Sequence, residues 1–210
     1  MLWDMDGTLV DTEPYWIATE FALAEEFGAS WSHEQALSLV GNDLLSSGRY
    51  IREQMGLSLT PEEIVERLLD GVVARVAAEV PWRPGARELL AALVADGVPC
   101  ALVTMSYRRF VDPILADLPV GSFAEIVTGD AVTHGKPHPE PYLTAAARLG
   151  VDPRDCVAIE DSSTGCRSAE SAGCTVLAVP LHVPVEPGER RVFRTSLDGM
   201  TPLDLALLPS

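Results

Sequence analysis

The sequence predicts an α/β protein: a Rossmann-like parallel sheet core with an inserted all-helical cap domain. Three observations carry this expectation. From residue 82 onward, short apolar runs alternate with helical segments, the pattern of βαβ units feeding a parallel sheet. Between residues 13 and 81 the texture is helical throughout, with capping signals and no convincing strand. Finally, the short apolar start Met1, Leu2, Trp3 lies on the far side of that helical stretch. The core is therefore expected to comprise residues 1–12 and 82–210, and the cap residues 13–81.

Taken in order, Leu2 and Trp3 read as the end of a buried strand, with a glycine turn following at Gly7. The cap begins near Pro14, where Ile17, Phe21, Ala24 and Phe27 recur at helix spacing and Gly28 stops the segment. Ser32 with Gln35, and Thr60 with Glu63, form capping boxes, the second strengthened by Pro61 at the first helical position. After Trp82-Arg83-Pro84-Gly85, residues 85–96 form a helix ended by Gly97, and 98–103 an apolar strand. A helix over about 106–117, irregular near Pro113, precedes a short strand at 123–127. Residues 139–149 form a helix ended by Gly150, 156–159 a strand, 164–172 a helix of small residues and 174–179 a last strand. Pro184 and Pro187 within 181–195 indicate a loop, and the tail from Pro202 a final helical turn.

Composition narrows the function. At 210 residues with 47% apolar content the chain can bury a substantial core. No stretch approaches the roughly 18 apolar residues of a membrane span, and the start carries no secretion signal. A cytoplasmic monomer is the expectation. Cys100, Cys156, Cys166 and Cys174 stand alone, without metal-ligand spacing, as small buried hydrophobes in a reducing compartment. A net charge of −16 argues against nucleic acid, which needs a basic face. The same charge opposes the approach of any anionic ligand, so capture of an anion would require a bound cation, a lysine and oriented backbone N–H groups together.

In open parallel sheets, ligands bind outside the carboxyl ends of the strands. There the first strand delivers Asp4 and Asp6, the 98–103 strand Thr104 and Ser106, and the 156–159 strand Glu160 and Asp161, while Lys136 lies in a Gly-Lys-Pro-His-Pro loop before a helix. Several carboxylates in one pocket repel one another unless a hard cation lies among them, and Mg²⁺ prefers oxygen ligands. One carboxylate can then attack phosphorus, a second can protonate the leaving oxygen and later activate water, and a lysine and hydroxyl can neutralise phosphoryl charge. Taken singly, Asp-x-Asp-Gly also fits an Asx turn or a calcium loop, although the glutamate that closes a calcium loop is missing. Thr104 alone fits a helix cap, Lys136 a solvated lysine, and Glu160 with Asp161 a helix-entry pair. Their joint occurrence at successive strand ends favours one shared site.

At these residues the chain resembles the haloacid dehalogenase-like (HAD) hydrolases. Asp4, Met5, Asp6, Gly7, Thr8, Leu9, Val10 and Asp11 fit the first motif of that family, and Leu102, Val103, Thr104, Met105 and Ser106 the second. Lys136, Pro137, His138 and Pro139 fit the third, and Glu160, Asp161, Ser162 with Gly165 the fourth. Within the family the chain is similar to the β-phosphoglucomutase-like phosphatases with a helical class 1 cap. The resemblance implies that Asp4 is phosphorylated and that Asp6 acts as acid and base. It implies Mg²⁺ held by Asp4, the backbone carbonyl of Asp6 and Asp161, with Glu160 supporting through water. It implies phosphate binding by Thr104, Met105 and Lys136. The metal-free dehalogenases of the superfamily lack the second aspartate, so Asp6 counts against their chemistry.

Two departures count against a phosphosugar mutase, the alternative reading. Trp16 stands where such mutases carry a histidine, and Leu44 where they place an arginine for a second phosphate. The segment Asp11 to Trp16 is instead similar to segments in hexose and hexitol phosphatases, which makes Thr12, Tyr15 and Trp16 candidates for substrate contact, with cap packing an equal alternative for Tyr15 and Trp16. The expected activity is hydrolysis of small phosphate monoesters, sugar or polyol phosphates, through an aspartyl-phosphate. Binding through a degenerate site is the non-enzymatic alternative. Only three residues precede Asp4, fewer than in members of the family it resembles, which implies either a trimmed start or a weakly supported strand.

Overall fold

The computed structural model describes residues 1–40 and 42–208. Six parallel strands form one sheet: β1 (Leu2–Trp3), β2 (Ala101–Val103), β3 (Glu125–Val127), β4 (Val157–Glu160), β5 (Thr175–Ala178) and β6 (Arg191–Phe193). Their spatial order is β3-β2-β1-β4-β5-β6. The direction of winding reverses at β1, which places a crevice at the carboxyl ends of β1, β2 and β4. Short as it is, β1 is well supported. Leu2 pairs with Ala101 on one side and Ala158 on the other, Trp3 with Leu102 and Ile159, and both side chains are fully buried.

Alternation along the strands divides the core into two faces. Leu2, Ala101, Val103, Ala158, Val176 and Ala178 pack on one side, under α7 (Glu140–Leu149) and α8 (Ser163–Ala172). Trp3, Leu102, Ile159 and Leu177 point to the other, where they meet α5 (Ala86–Ala95), α6 (Arg108–Ala116) and α9 (Pro202–Ala206). Small residues on α8, among them Ala169 and Ala172, let that helix lie close to the sheet.

Between β1 and α5 the chain forms α1 (Glu13–Phe27), α2 (His33–Leu37), α3 (Leu44–Met55) and α4 (Pro61–Ala78). Both expected capping boxes are present, at Ser32 with Gln35 and at Thr60 with Glu63. The helix α4 packs on α1, α3 and α6, and Gly71 of α4 admits the side chain of Thr19 from α1. The outgoing and returning segments run side by side: the Asp11 N–H donates to the Pro81 carbonyl at 2.7 Å, and Val10 bridges Trp82.

Two expectations need correction. The buried face of α1 is Trp16, Thr19, Glu20, Leu23 and Ala24, whereas Phe27 is exposed. The apolar stripe misled because two polar side chains are buried on that face, so the hydrophobic pattern points beside it. In addition, residues 181–195 are not all loop, since β6 pairs in parallel with β5. It is a partly exposed edge strand of three residues, too short to show an alternating pattern. No helix among the described residues is long and apolar enough to cross a membrane.

Candidate active site

The end of β1 is shaped by Gly7. Its φ of +82° lies in the left-handed region, and a Cβ there would collide with the Asp161 carboxylate. Glycine therefore provides both the backbone turn and the space for a second carboxylate beside it. Arg83, which the sequence reading passed over, fixes the same turn. Its buried guanidinium donates to the Gly7 carbonyl and, at 3.3 Å, to the Val179 carbonyl.

Asp4 continues β1, its N–H bonded to the Ile159 carbonyl at 3.0 Å. Lys136 joins the strands. Its ammonium donates to Asp4 Oδ1 at 2.7 Å, Glu160 Oε1 at 2.6 Å and the Val103 carbonyl at 2.9 Å. Burial works against this ammonium, but Asp4 and Glu160 outweigh it and hold its pKa above the ordinary value. Glu160 also accepts from the Tyr142 hydroxyl at 2.6 Å and the Ser162 hydroxyl at 3.3 Å. It is fully buried and turned toward Lys136, away from the cleft. Its carboxylate fills the place where Gly165 lacks a side chain.

Asp4, Glu160 and Asp161 each offer a carboxylate oxygen within 4.8 Å of the others. Asp4 Oδ2 is buried without a hydrogen-bond partner. Burial, with Glu160 adding to it, pushes the Asp4 carboxyl up to about 7. Burial and then the Asp4 and Glu160 charges push Asp161 well above the carboxylate range. A buried orphan oxygen beside unneutralised carboxylates is the environment a hard divalent cation would satisfy, so the residues present fit Mg²⁺.

Asp6 is held separately. Its Oδ1 accepts from the Thr12 hydroxyl at 2.5 Å, and its Oδ2 from Ser106 at 2.8 Å and Thr104 at 3.2 Å. Ser106, delivered to this edge with Thr104 as expected, is thus part of the Asp6 support, and the Thr104 hydroxyl is directed to Asp6. The Ser106 N–H in turn donates to the Thr104 hydroxyl at 3.0 Å. The Met105 sulfur accepts from the Lys136 N–H at 3.1 Å.

Asp4, Asp6, Thr104, Met105, Lys136 and Asp161 line one cleft. Of the three candidates from the helical segment, only Trp16 lines it, packed edge-to-face on Phe110 at 5.4 Å. Thr12 is buried beneath Asp6, and Tyr15 turns its hydroxyl to the Glu79 carbonyl at 3.3 Å. The sequence reading missed Glu13, Glu20 and His182 in the lining. His182 lies 2.7 Å from Asp11. Glu13 and Glu20 carried no signal distinguishing them from ordinary surface acids on a helix.

Hexitol phosphatase B of Escherichia coli is 31% identical over 183 residues, covering 85% of this chain and 82% of that protein. Phosphoglycolate phosphatase of Salmonella paratyphi A is 33% identical over 194 residues, covering 81% of this chain and 77% of that protein. The crystal structure of CbbY from Rhodobacter sphaeroides in complex with phosphate superposes with a TM-score of 0.86 at 26% identity, covering 98% of each chain. Residues 1–179 match the family described as haloacid dehalogenase-like hydrolase, and with the parallel sheet and its carboxylate site in place, the chain belongs to that family.

Proposed function

We propose that this hydrolase is a Mg²⁺-dependent phosphatase of small phosphate monoesters, sugar or polyol phosphates, acting through an aspartyl-phosphate on Asp4. The observation that carries the reading is the buried pairing of Asp4 with Lys136 next to Asp161, with Asp4 Oδ2 left without a partner. Mg²⁺ bound by Asp4, the Asp6 carbonyl and Asp161 would supply positive charge at the phosphoryl group and keep the Asp4 carboxyl ionised.

In the first step an Asp4 oxygen attacks phosphorus and the bond to the ester oxygen breaks. The Asp6 carboxyl gives its proton to the departing alkoxide. Water then attacks the phosphoaspartate and passes a proton back to Asp6, releasing phosphate. Lys136 stabilises charge on the transferring group, and Glu160, bonded to Lys136, Tyr142 and Ser162, fixes the position of the ammonium. Thr12, Thr104 and Ser106 aim the Asp6 carboxyl. In this reading residues 13–81 act as a cap over a core of residues 1–12 and 82–210, with the paired segments at Asp11 and Pro81 as its hinge. Four buried, unpaired cysteines accord with the cytoplasm as its location.

The mutase alternative is not adopted. Trp16 and Leu44 both line the cleft where a second phosphate would need a cation. Asp4→Asn is expected to abolish Mg²⁺-dependent release of phosphate from p-nitrophenyl phosphate. Retained turnover in that variant would remove the nucleophile assignment.

A further inference from the structure

Two acids on the far wall of the cleft have no part in the steps above. Glu13 and Glu20 lie seven residues apart on α1, and so on one face of it two turns apart, with Trp16 between them; all three line the cleft. Glu20 is 4% exposed, and its Oε2 accepts from the Trp31 indole N–H at 2.9 Å. Among the described residues no cation pairs with either acid. The charged groups acting on Glu13 are Glu20, Asp6 and Asp11, all acidic. The rest of this wall is neutral, formed by Leu39, Leu44, Leu68, Asn42 and Ser47. Of the basic side chains lining the cleft, Lys136 is bound by Asp4 and Glu160, and His182 by Asp11.

We infer that Glu13 and Glu20 determine specificity by hydrogen-bonding the hydroxyls of an uncharged polyol leaving group and by rejecting substrates that carry a second anionic group. This rests on the phosphatase reading and names the substrate class within it. The cleft is a ligand site on separate grounds, since the buried, unpartnered Asp4 Oδ2 belongs to a residue lining it. A phosphate at Asp4 and Lys136 leaves the remainder of a small ester facing α1. A hydroxyl there meets a desolvated carboxyl with open hydrogen-bonding capacity. A carboxylate or second phosphate there meets two acids and no free cation. Burial pushes Glu13 up to about 8 and Glu20 to about 7, so near neutral pH each can serve as donor or acceptor to hydroxyls. A site built to hydrogen-bond hydroxyls discriminates against ligands that leave its polar groups unpaired.

The test compares the wild type with Glu13→Gln and Glu20→Gln on a hexitol 6-phosphate, 2-phosphoglycolate and p-nitrophenyl phosphate, with Mg²⁺ present. The glutamine oxygen can still accept from Trp31, so the Glu20 variant keeps its packing. The wild-type kcat/KM is expected to favour the hexitol phosphate over phosphoglycolate by about tenfold or more. At pH 9, where both carboxyls are largely ionised, either variant is expected to narrow that ratio by about tenfold, mainly through KM, as a repelling charge is removed. Thermal-shift titration with the same two ligands reads the preference without turnover. Hydrolysis of p-nitrophenyl phosphate with an unchanged ratio in both variants overturns the inference and leaves the phosphatase reading intact. Absence of that hydrolysis, with a binding preference that collapses in the variants, overturns the phosphatase reading and upholds the role of the two acids.

Discussion

Replacing Glu20 by glutamine tests the electrostatics of the cleft through stability alone. Glu20 is almost wholly buried, has one hydrogen bond and no cation, and its pKa rises from an ordinary 4.5 to about 7. Burial is the cause, opposed only in part by the Trp31 hydrogen bond. A carboxyl whose folded pKa is raised binds its proton more tightly in the native state than in the unfolded one. Stability therefore falls as pH rises from the unfolded value through the folded one, and is undiminished below both. Each pKa unit is about 1.4 kcal/mol, so ionised Glu20 costs roughly 3 kcal/mol at pH 8 and under about 1 kcal/mol at pH 5. Glutamine keeps the shape and the acceptor but carries no charge. Urea unfolding in EDTA should show Glu20→Gln more stable than the wild type by roughly 3 kcal/mol at pH 8, with near equality at pH 5. A difference that is the same at both pH values, or a variant less stable at pH 8, would refute the claim that Glu20 is a desolvated, uncompensated acid.

Further outcomes follow from the catalytic cluster. A Cβ at residue 165 overlaps the Glu160 carboxylate, so Gly165→Ala should displace Glu160 and release Lys136. Its p-nitrophenyl phosphate turnover should fall by about 10² or more, with a stability loss of about 1–3 kcal/mol seen in urea. Mg²⁺ at one hundred times its Kd should stabilise the wild type by about 2.7 kcal/mol at pH 8. Asp161→Asn should lose most of that increment, and an equal Mg²⁺ response in the variant would remove Asp161 from the metal site.

The fold was legible where local chemistry and global arrangement agreed. Gly28, Gly97 and Gly150 ended helices as expected, and buried strands appeared as apolar runs, though those runs extended beyond the paired residues. The expected strand at 98–103 is paired in register only from Ala101, although the Cys100 carbonyl already accepts from the Ala124 N–H at 2.8 Å. Of the two readings of the short start, a weakly supported β1 does not hold: its two residues pair with strands on both sides. The candidate site residues were legible as one group because several acids at successive strand ends have few structural explanations in common. The residues that hold them were not. Arg83 acts on a backbone carbonyl and Tyr142 on Glu160. Such contacts depend on long-range packing, and no local spacing announces them. Glu20 looked like solvated helix surface because its burial depends on Trp31, eleven residues on.

A net charge of −16 would oppose an anionic substrate, and the site explains how the opposition is confined. Lys136, the only lysine in the cleft lining, is not a free positive group, since two carboxylates already share its ammonium. Asp161 adds a third carboxylate, answered from a distance by Arg83. Without further charge the floor of the cleft is therefore negative, and burial with the Glu160 charge holds the Asp4 carboxyl up at about 7. A divalent cation between Asp4 and Asp161 would change both facts together, lowering the Asp4 pKa and making the floor receptive to a phosphoryl group. On the opposite wall, among the described residues, no cationic side chain plays that part for Glu13 and Glu20. One cleft is then compensated for a single anionic group at its floor and uncompensated at its wall, which ties the choice of substrate to where the chain has placed its charges.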